Sequence, residues 1–412
     1  MNRSIGQTIA IILIMTLVGC GGSQTKPTSL PAGTPSASPA TAIPMTPTAP
    51  PPTQPIATVQ PLPSGAAGQA LLLDSPIPGS AVGNPLTVRG RALLMPFEGT
   101  LVVRVYDARG QLAAQTPVQV RGDMQGPVSF ETTLMVGGVP GAGKVEVLDL
   151  SAKDGAVRAS AGAAVTFSSS GYIEAPAPLE WVTLPIHLLA RVGQPGQAVN
   201  LTVSWEGRAP GQSVQFAQPA TVITDANGRG LILTTVNWPT TAQVVSPETQ
   251  KGSLQIHDAS GNLLAYQPLG ILHPQDADTM GVNVFWVVGE QVVAESLRIP
   301  HTLGMGRAAL EALLWGPTPG NASGYTTAIP TPEEVLRYPQ RGAGWGERVL
   351  LKDLKILEGV AYADFSKELL AHSGGAARVL LIRQQIEQTL LQFSTVNRVV
   401  ITVEGQRDML EP

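Results

Sequence analysis

Two stretches of this 412-residue chain have the residue types and spacing of cofactor chemistry. Gly138-Val139-Pro140-Gly141-Ala142-Gly143-Lys144 carries most of a phosphate-binding P-loop. Val145, however, stands where Ser or Thr must hold magnesium, and Lys144 to Asp149 alternates as a strand does. A P-loop works because the amides of a helix N-terminus face the phosphates, and no helix follows here. The stretch reads as a hairpin turn. Gly304-x-Gly306-x-x-Ala309 opens a helix after a strand, as a dinucleotide fingerprint does. The acidic residue expected about 20 positions further on is missing, so close helix packing explains the glycines better. His187, His257, His273, His301 and His372 are scattered, with no pair at metal-ligand spacing. No Gly-x-Ser-x-Gly elbow anchors a nucleophile. Glu98 and Asp364 stand in different segments and cannot share acid-base work in one cleft. Asp364, before Phe365-Ser366, reads as a helix-start cap. The sequence therefore points to no catalytic residues, no metal, no cofactor and no enzyme.

One residue does carry a definite chemistry. Cys20, the chain's only cysteine, ends Leu17-Val18-Gly19-Cys20, behind a basic start at Arg3 and an apolar run from Ile9 to Val18. A basic start, a short apolar middle and small residues at the cut make a signal peptide over 1–19. The run is shorter than the ~20 residues of a spanning helix. The stretch resembles a bacterial lipobox, in which cleavage leaves a cysteine thiol that is lipidated. The resemblance implies a protein anchored by lipid on Cys20 to the extracytoplasmic side of the cell membrane. With that thiol used, no disulfide forms within the chain.

The elements that follow must be held by burial alone, and 43% hydrophobic residues can supply it. Residues 20–69 collapse to Pro, Thr, Ser and Ala, which cannot build a core, and read as a disordered linker. Extended at ~3.1 Å per residue, it reaches on the order of 100 Å. A net charge of -4 argues against nucleic acid, which needs a basic patch. With 44 Gly, 36 Pro and only 14% charged residues, the rest reads as strands joined by tight turns.

Short Val- and Leu-rich runs without helical period fill 70–170 and predict an antiparallel sandwich of about seven strands. A second sandwich is expected over 178–275. Within it Ile256 to Ala265 aligns without gaps to Val105 to Ala114, a strand, an Asp-Ala-x-Gly turn and a returning strand. From 278 to 406 helical period alternates with strands. Val282–Val288 and Val292–Ile299 read as one strand pair, and Val349–Leu357 and Val360–Phe365 as another. Arg307–Trp315 and Ala376–Phe393 read as helices and Arg398–Val403 as a last strand. The long helix turns Val379, Ile382, Ile386 and Leu390 to a core and leaves Arg383, Gln384, Gln388 and Gln392 on its polar side. The Gly- and Arg-rich stretch from Arg337 to Glu347 reads as a loop. The expected fold is thus two antiparallel immunoglobulin-like β-sandwiches followed by an α/β (α+β) domain.

Two of these segments resemble known families. Ser75-Pro76-x-Pro78-Gly79, Pro85-Leu86-x-Val88-x-Gly90-x-Ala92, Phe97-Glu98-Gly99 and Lys153-Asp154-Gly155 resemble the immunoglobulin-like domain that accompanies spore-germination domains in bacterial lipoproteins. Ala309 to Pro317, Ala328-Ile329-Pro330, Gly359 to Ser366, Gln384 to Leu390 and Val396 to Gly405 resemble the GerMN domain. The middle segment resembles no family. The resemblance implies a part in sporulation or germination, as a binding or scaffolding protein of the envelope. An enzyme or accessory acting on cell-wall polymer, or a sensor subunit for a membrane kinase, is the alternative. The partners expected are the membrane, an envelope protein or cell-wall component, and a second copy through the C-terminal domain.

Overall fold

The computed structural model describes residues 69–410, apart from 184, 207–212, 226, 237–249, 273–275, 319–322 and 408. The expected signal peptide 1–19, Cys20, the linker up to residue 68 and His273 lie outside the described residues.

The first eight strands are β1 (Leu71–Ser75), β2 (Ala81–Val82), β3 (Leu86–Ala92), β4 (Thr100–Tyr106), β5 (Leu112–Arg121), β6 (Val128–Leu134), β7 (Gly141–Leu150) and β8 (Val157–Phe167). They are ordered β1-β3-β6-β5-β4-β7-β8-β2. Strict alternation sends Leu101, Val103 and Val105 of β4 into a core shared with Val88, Val145 and Val147. One strand joins the two faces. β5 pairs with β4 through Gln119, and then its last residues, Val120 and Arg121, pair with β6. There are eight strands where about seven are expected, and, against the antiparallel expectation, the short β2 runs parallel to β8. β6 and β7 are not neighbours, so the stretch expected to be a hairpin turn instead crosses from one face to the other.

Nine strands follow: β9 (Gly171–Ala175), β10 (Trp181–Thr183), β11 (Ile186–Val192), β12 (Ala198–Glu206), β13 (Ser213–Thr221), β14 (Ile223–Thr224), β15 (Gly230–Val236), β16 (Gln250–Asp258) and β17 (Leu263–Leu272). They form a sheet β10-β17-β16-β12-β13 and a sheet β14-β15-β11-β9. Leu188, Leu201, Val203, Leu254 and Ile256 are fully buried between them. The aligned hairpins share one turn chemistry. Asp107 Oδ1 accepts from the amides of Arg109 and Gln111, and Asp258 Oδ1 from those of Ser260 and Asn262, all at 2.9 Å. Gly110 and Gly261 then take φ of 75° and 84°, the left-handed region that favours glycine. A third Asp-Ala-x-Gly turn stands at Asp225, whose Oδ1 accepts from the amides of Asn227 and Arg229 in the same way.

The C-terminal segment contains β18 (Thr279–Val288), β19 (Gln291–Pro300), α1 (Met305–Trp315), α2 (Pro332–Arg337), β20 (Leu351–Leu357), β21 (Val360–Phe365), α3 (Gly375–Leu391) and β22 (Arg398–Val403). β18 and β19 pair as a hairpin, and β20-β21-β22 form a second sheet in which β22 runs parallel to β21. A parallel pair needs a crossover, and α3 supplies it. The helix buries Val379, Ile382, Ile386 and Leu390, as its spacing predicts. Its polar side is less free than expected. Gln392 is fastened to β18, with Oε1 accepting from the Asn283 amide at 2.8 Å and Nε2 donating to its carbonyl at 2.7 Å. Gln385, which the periodic reading left unassigned, is fully buried. It accepts from the Ala328 amide and donates to the Phe285 carbonyl, so it satisfies two strand and loop groups at once. Helix α2 was also missed. Thr331 and Glu334 form a reciprocal capping box around Pro332, a signal written in Thr331-Pro332-Glu333-Glu334.

Candidate functional site

The middle sandwich is tied to both neighbours by polar side chains. Gln267, fully buried, donates to the Pro176 carbonyl at 2.7 Å and accepts from the Gly138 amide at 2.8 Å. Arg191 on β11 reaches three carboxylates: Glu174 at 3.2 Å, the buried Asp225 at 2.9 Å and Glu347 at 3.2 Å. Glu174 also takes Arg109 from the first sandwich at 3.0 Å. Burial works against the Arg191 charge, but Glu347 and Glu174 more than offset it and hold the guanidinium above its ordinary value. Glu347 closes the stretch expected to be a loop. Past Arg337 it is one, and it is packed: Tyr338 lies against Trp345 at 5.3 Å, and Gly346 donates to the buried Glu368.

Beside this clamp, β10, the start of β11, the end of β19 and α1 enclose a cleft of about 320 Å³. Its inner wall is a stack. The His187 ring lies 5.1 Å from that of Trp315 and nearly parallel to it, and the Arg348 guanidinium carbon sits 4.2 Å from the Trp315 ring centroid. Burial, and then the neighbouring Arg348, push His187 down to about 4, so the ring is neutral near pH 7. Its Nδ1 meets Thr235 Oγ1 at 3.3 Å. Arg348 is the unusual member. Its Nε is buried without a hydrogen-bond partner, its Nη1 touches the Val349 carbonyl only at 3.4 Å, and among the described residues no carboxylate lies within 4 Å. Burial pulls its charge below the ordinary guanidinium value, which the more distant Glu311 and Glu174 offset only in part.

Two carboxylates stand at the mouth. Glu180 accepts from the Ala177 amide at 2.6 Å, and desolvation together with nearby Glu311 raises it above the usual carboxylate range. Glu311 meets Arg307 at 3.6 Å along the exposed side of α1. Trp181 completes the wall. Its indole lies flat on Gly270 of β17, so closely that a methyl group there would fall 1.9 Å from Cε3. Only glycine leaves room for the ring, which remains 46% exposed.

The stretches singled out by motif contribute little chemistry. Gly138 belongs to the seam with Gln267, while Lys144 lies mid-strand in β7, paired with Glu146. A methyl group at Gly306 would meet Leu354, Leu390 and Phe393 at 3.4–3.7 Å, ordinary contact, so packing does not demand glycine there. Asp364 is not a helix cap. Its Oδ1 accepts from Thr402 Oγ1 and the Gly405 amide, both at 2.7 Å, and so fixes the turn after β22. Glu98 sits in a turn with φ 53°, within the first sandwich and apart from Asp364. Among the described residues no cluster of His, Cys, Asp or Glu could hold a metal ion. Among the described histidines only His187 enters the cleft, and its partners Glu180, Glu311, Trp315 and Arg348 share no sequence motif with it.

Residues 71–156 match the family described as the immunoglobulin-like domain of bacterial spore germination, and residues 283–408 the family described as sporulation and spore germination. Neither family is a known enzyme family. No curated protein matches the chain. Among solved structures, the first GerMN domain of the sporulation protein GerM from Bacillus subtilis is 22% identical, with 31% of this chain and 85% of that one covered and a TM-score of 0.24. The tandem GerMN domains of the same protein give 22%, 31%, 40% and 0.24. The fibronectin(III)-like modules of Clostridium thermocellum CbhA give 13%, 49%, 93% and 0.14. Likenesses at these scores bear no weight on function. The chain carries an immunoglobulin-like domain of the spore-germination kind and, after its middle sandwich, a sporulation and spore germination domain.

Proposed function

We propose that the protein is a binding and scaffolding protein of the bacterial envelope in sporulation or germination, anchored by lipid on Cys20 to the extracytoplasmic side of the membrane. The observation that carries the scaffolding reading is the chain of ion pairs Arg109–Glu174–Arg191–Glu347, which runs through all three folded segments. A binding surface at the C-terminal end of such a unit is held in a set orientation to the first sandwich, which is what a scaffold requires. The sequence Leu17-Val18-Gly19-Cys20 supports the anchor. In cells, the protein is expected in the membrane fraction, and Cys20→Ser is expected to leave uncleaved precursor or release the protein to the medium. Normal processing and membrane retention of that variant would remove the anchor from the account. The scaffold is tested by cross-linking in cells, which should join the C-terminal segment to envelope proteins, cell-wall material or a second copy. A second reading, an enzyme acting on cell-wall polymer, is favoured by one feature: Glu180 and Glu311 share the mouth of one cleft, as acid-base pairs do. Incubation of the purified protein with wall fragments decides it, since a binder leaves them intact.

A further inference from the structure

We propose that the cleft between the middle sandwich and the C-terminal segment binds an acidic saccharide, with Arg348 taking the sugar carboxylate and Trp181 its ring. This deepens the envelope-binding reading and rests on it. Three demands on the ligand follow from the walls. First, Arg348 has a buried Nε without a partner and no carboxylate within 4 Å among the described residues. A guanidinium matches a carboxylate in two parallel bonds, and one that lines the cleft without an acid of the fold suits an anion from the cleft. Second, the mouth presents carboxylates, those of Glu180 and Glu311, to the same ligand. A carboxylate accepts from hydroxyls but repels a second anion, so the rest of the ligand must be rich in hydroxyl groups and not in charge. Third, Trp181 offers a flat indole seated on Gly270 and open on 46% of its surface, a platform for a rigid ring. A small ring with hydroxyls and one carboxylate meets all three, and a lipid or a bare phosphate meets only one.

The indole also points to more than one sugar. Trp181 borders a second groove of about 520 Å³ over β12, β16 and β17. There the Ser204 and Ser253 hydroxyls lie 2.9 Å apart and Lys251 is exposed. A chain leaving the cleft past Trp181 would therefore meet hydroxyl partners and a second cation for its next carboxylate.

The test uses the full-length protein in detergent, titrated with digalacturonate and, in parallel, with uncharged galactobiose, and followed by tryptophan fluorescence and calorimetry. Saturable binding of digalacturonate is expected, at least tenfold tighter than any binding of galactobiose. Arg348→Met is expected to abolish it and Trp181→Ala to weaken it at least tenfold, both with a melting transition kept. Equal binding of the two sugars would overturn the carboxylate assignment. Binding unaffected by Arg348→Met would overturn the site, and no binding at millimolar concentrations would overturn the proposal. Should Arg348→Met melt early, Arg348→Lys keeps the charge without the two-pronged geometry, and undiminished affinity in that variant would count against the site. Membrane fractionation of Cys20→Ser reads the anchoring separately, so the sugar assignment can fail while the envelope reading stands.

Discussion

Arg191 and Arg348 both lie where the middle sandwich meets the C-terminal segment, and their guanidinium groups are in opposite states. Arg191 touches three carboxylates, and its charge is favoured. Arg348 touches none among the described residues, lies on an indole, and its charge is disfavoured. Desolvation acts on both, so the difference lies in the partners the fold supplies. An arginine with its acids in place holds segments together. One left without them contributes little to holding the fold and leaves donors for something else. The contrast separates what the seam uses for structure from what it offers to a ligand.

Breaking the saturated side should have the largest effect. Arg191→Met strips Asp225, Glu174 and Glu347 of their shared cation, and removing one partner of a buried ionic cluster costs on the order of 3 kcal/mol. Urea unfolding should show that loss, and a change under 1 kcal/mol would mean that solvent screens the cluster far more than its burial implies.

The ligand side should respond to pH through His187. Its folded value, about 4, lies below the unfolded value of about 6.5, so the unfolded chain binds the extra proton between them. Stability from this group is complete above about pH 6.5, declines as pH falls toward 4, and loses on the order of 2 kcal/mol by about pH 5. Urea midpoints across this range, compared with those of His187→Gln, isolate the effect. A variant that keeps the whole pH dependence would place it elsewhere.

Gln267→Leu probes the other seam, through a contact that involves no charge. It leaves the Gly138 amide and the Pro176 carbonyl without their partner, at a cost of about 1–2 kcal/mol. Amide exchange should quicken at Gly138 and not at Gly346, whose donor goes to Glu368. Equal quickening at both would mean that the two seams open as one.

What was legible beforehand was local. Leu101, Val103 and Val105 show a strand by alternation, and Val379, Ile382, Ile386 and Leu390 show a helix by their three-to-four spacing, because each buries one side of one element. The shared turn at Asp107 and Asp258 was legible for the same reason, since its hydrogen bonds span only four residues. The crossing loop at Gly138 was misread because strand order depends on distant pairing, which no run of seven residues encodes. The cleft was hidden altogether. Glu180, His187, Glu311, Trp315 and Arg348 come from both sides of a seam, and each alone is an ordinary surface or core residue. Polar residues that do structural work inside a pattern, such as Gln385 within α3, are invisible to a reading that sorts apolar from polar.

Melting Arg191→Met and Arg348→Met side by side shows whether one seam arginine is satisfied by the fold and the other is not. A clear fall in melting temperature is expected for Arg191→Met. An unchanged or raised one is expected for Arg348→Met, because a thioether keeps contact with the Trp315 ring and removes an unpaired buried charge. A fall for Arg348→Met as large as that for Arg191→Met would contradict that contrast.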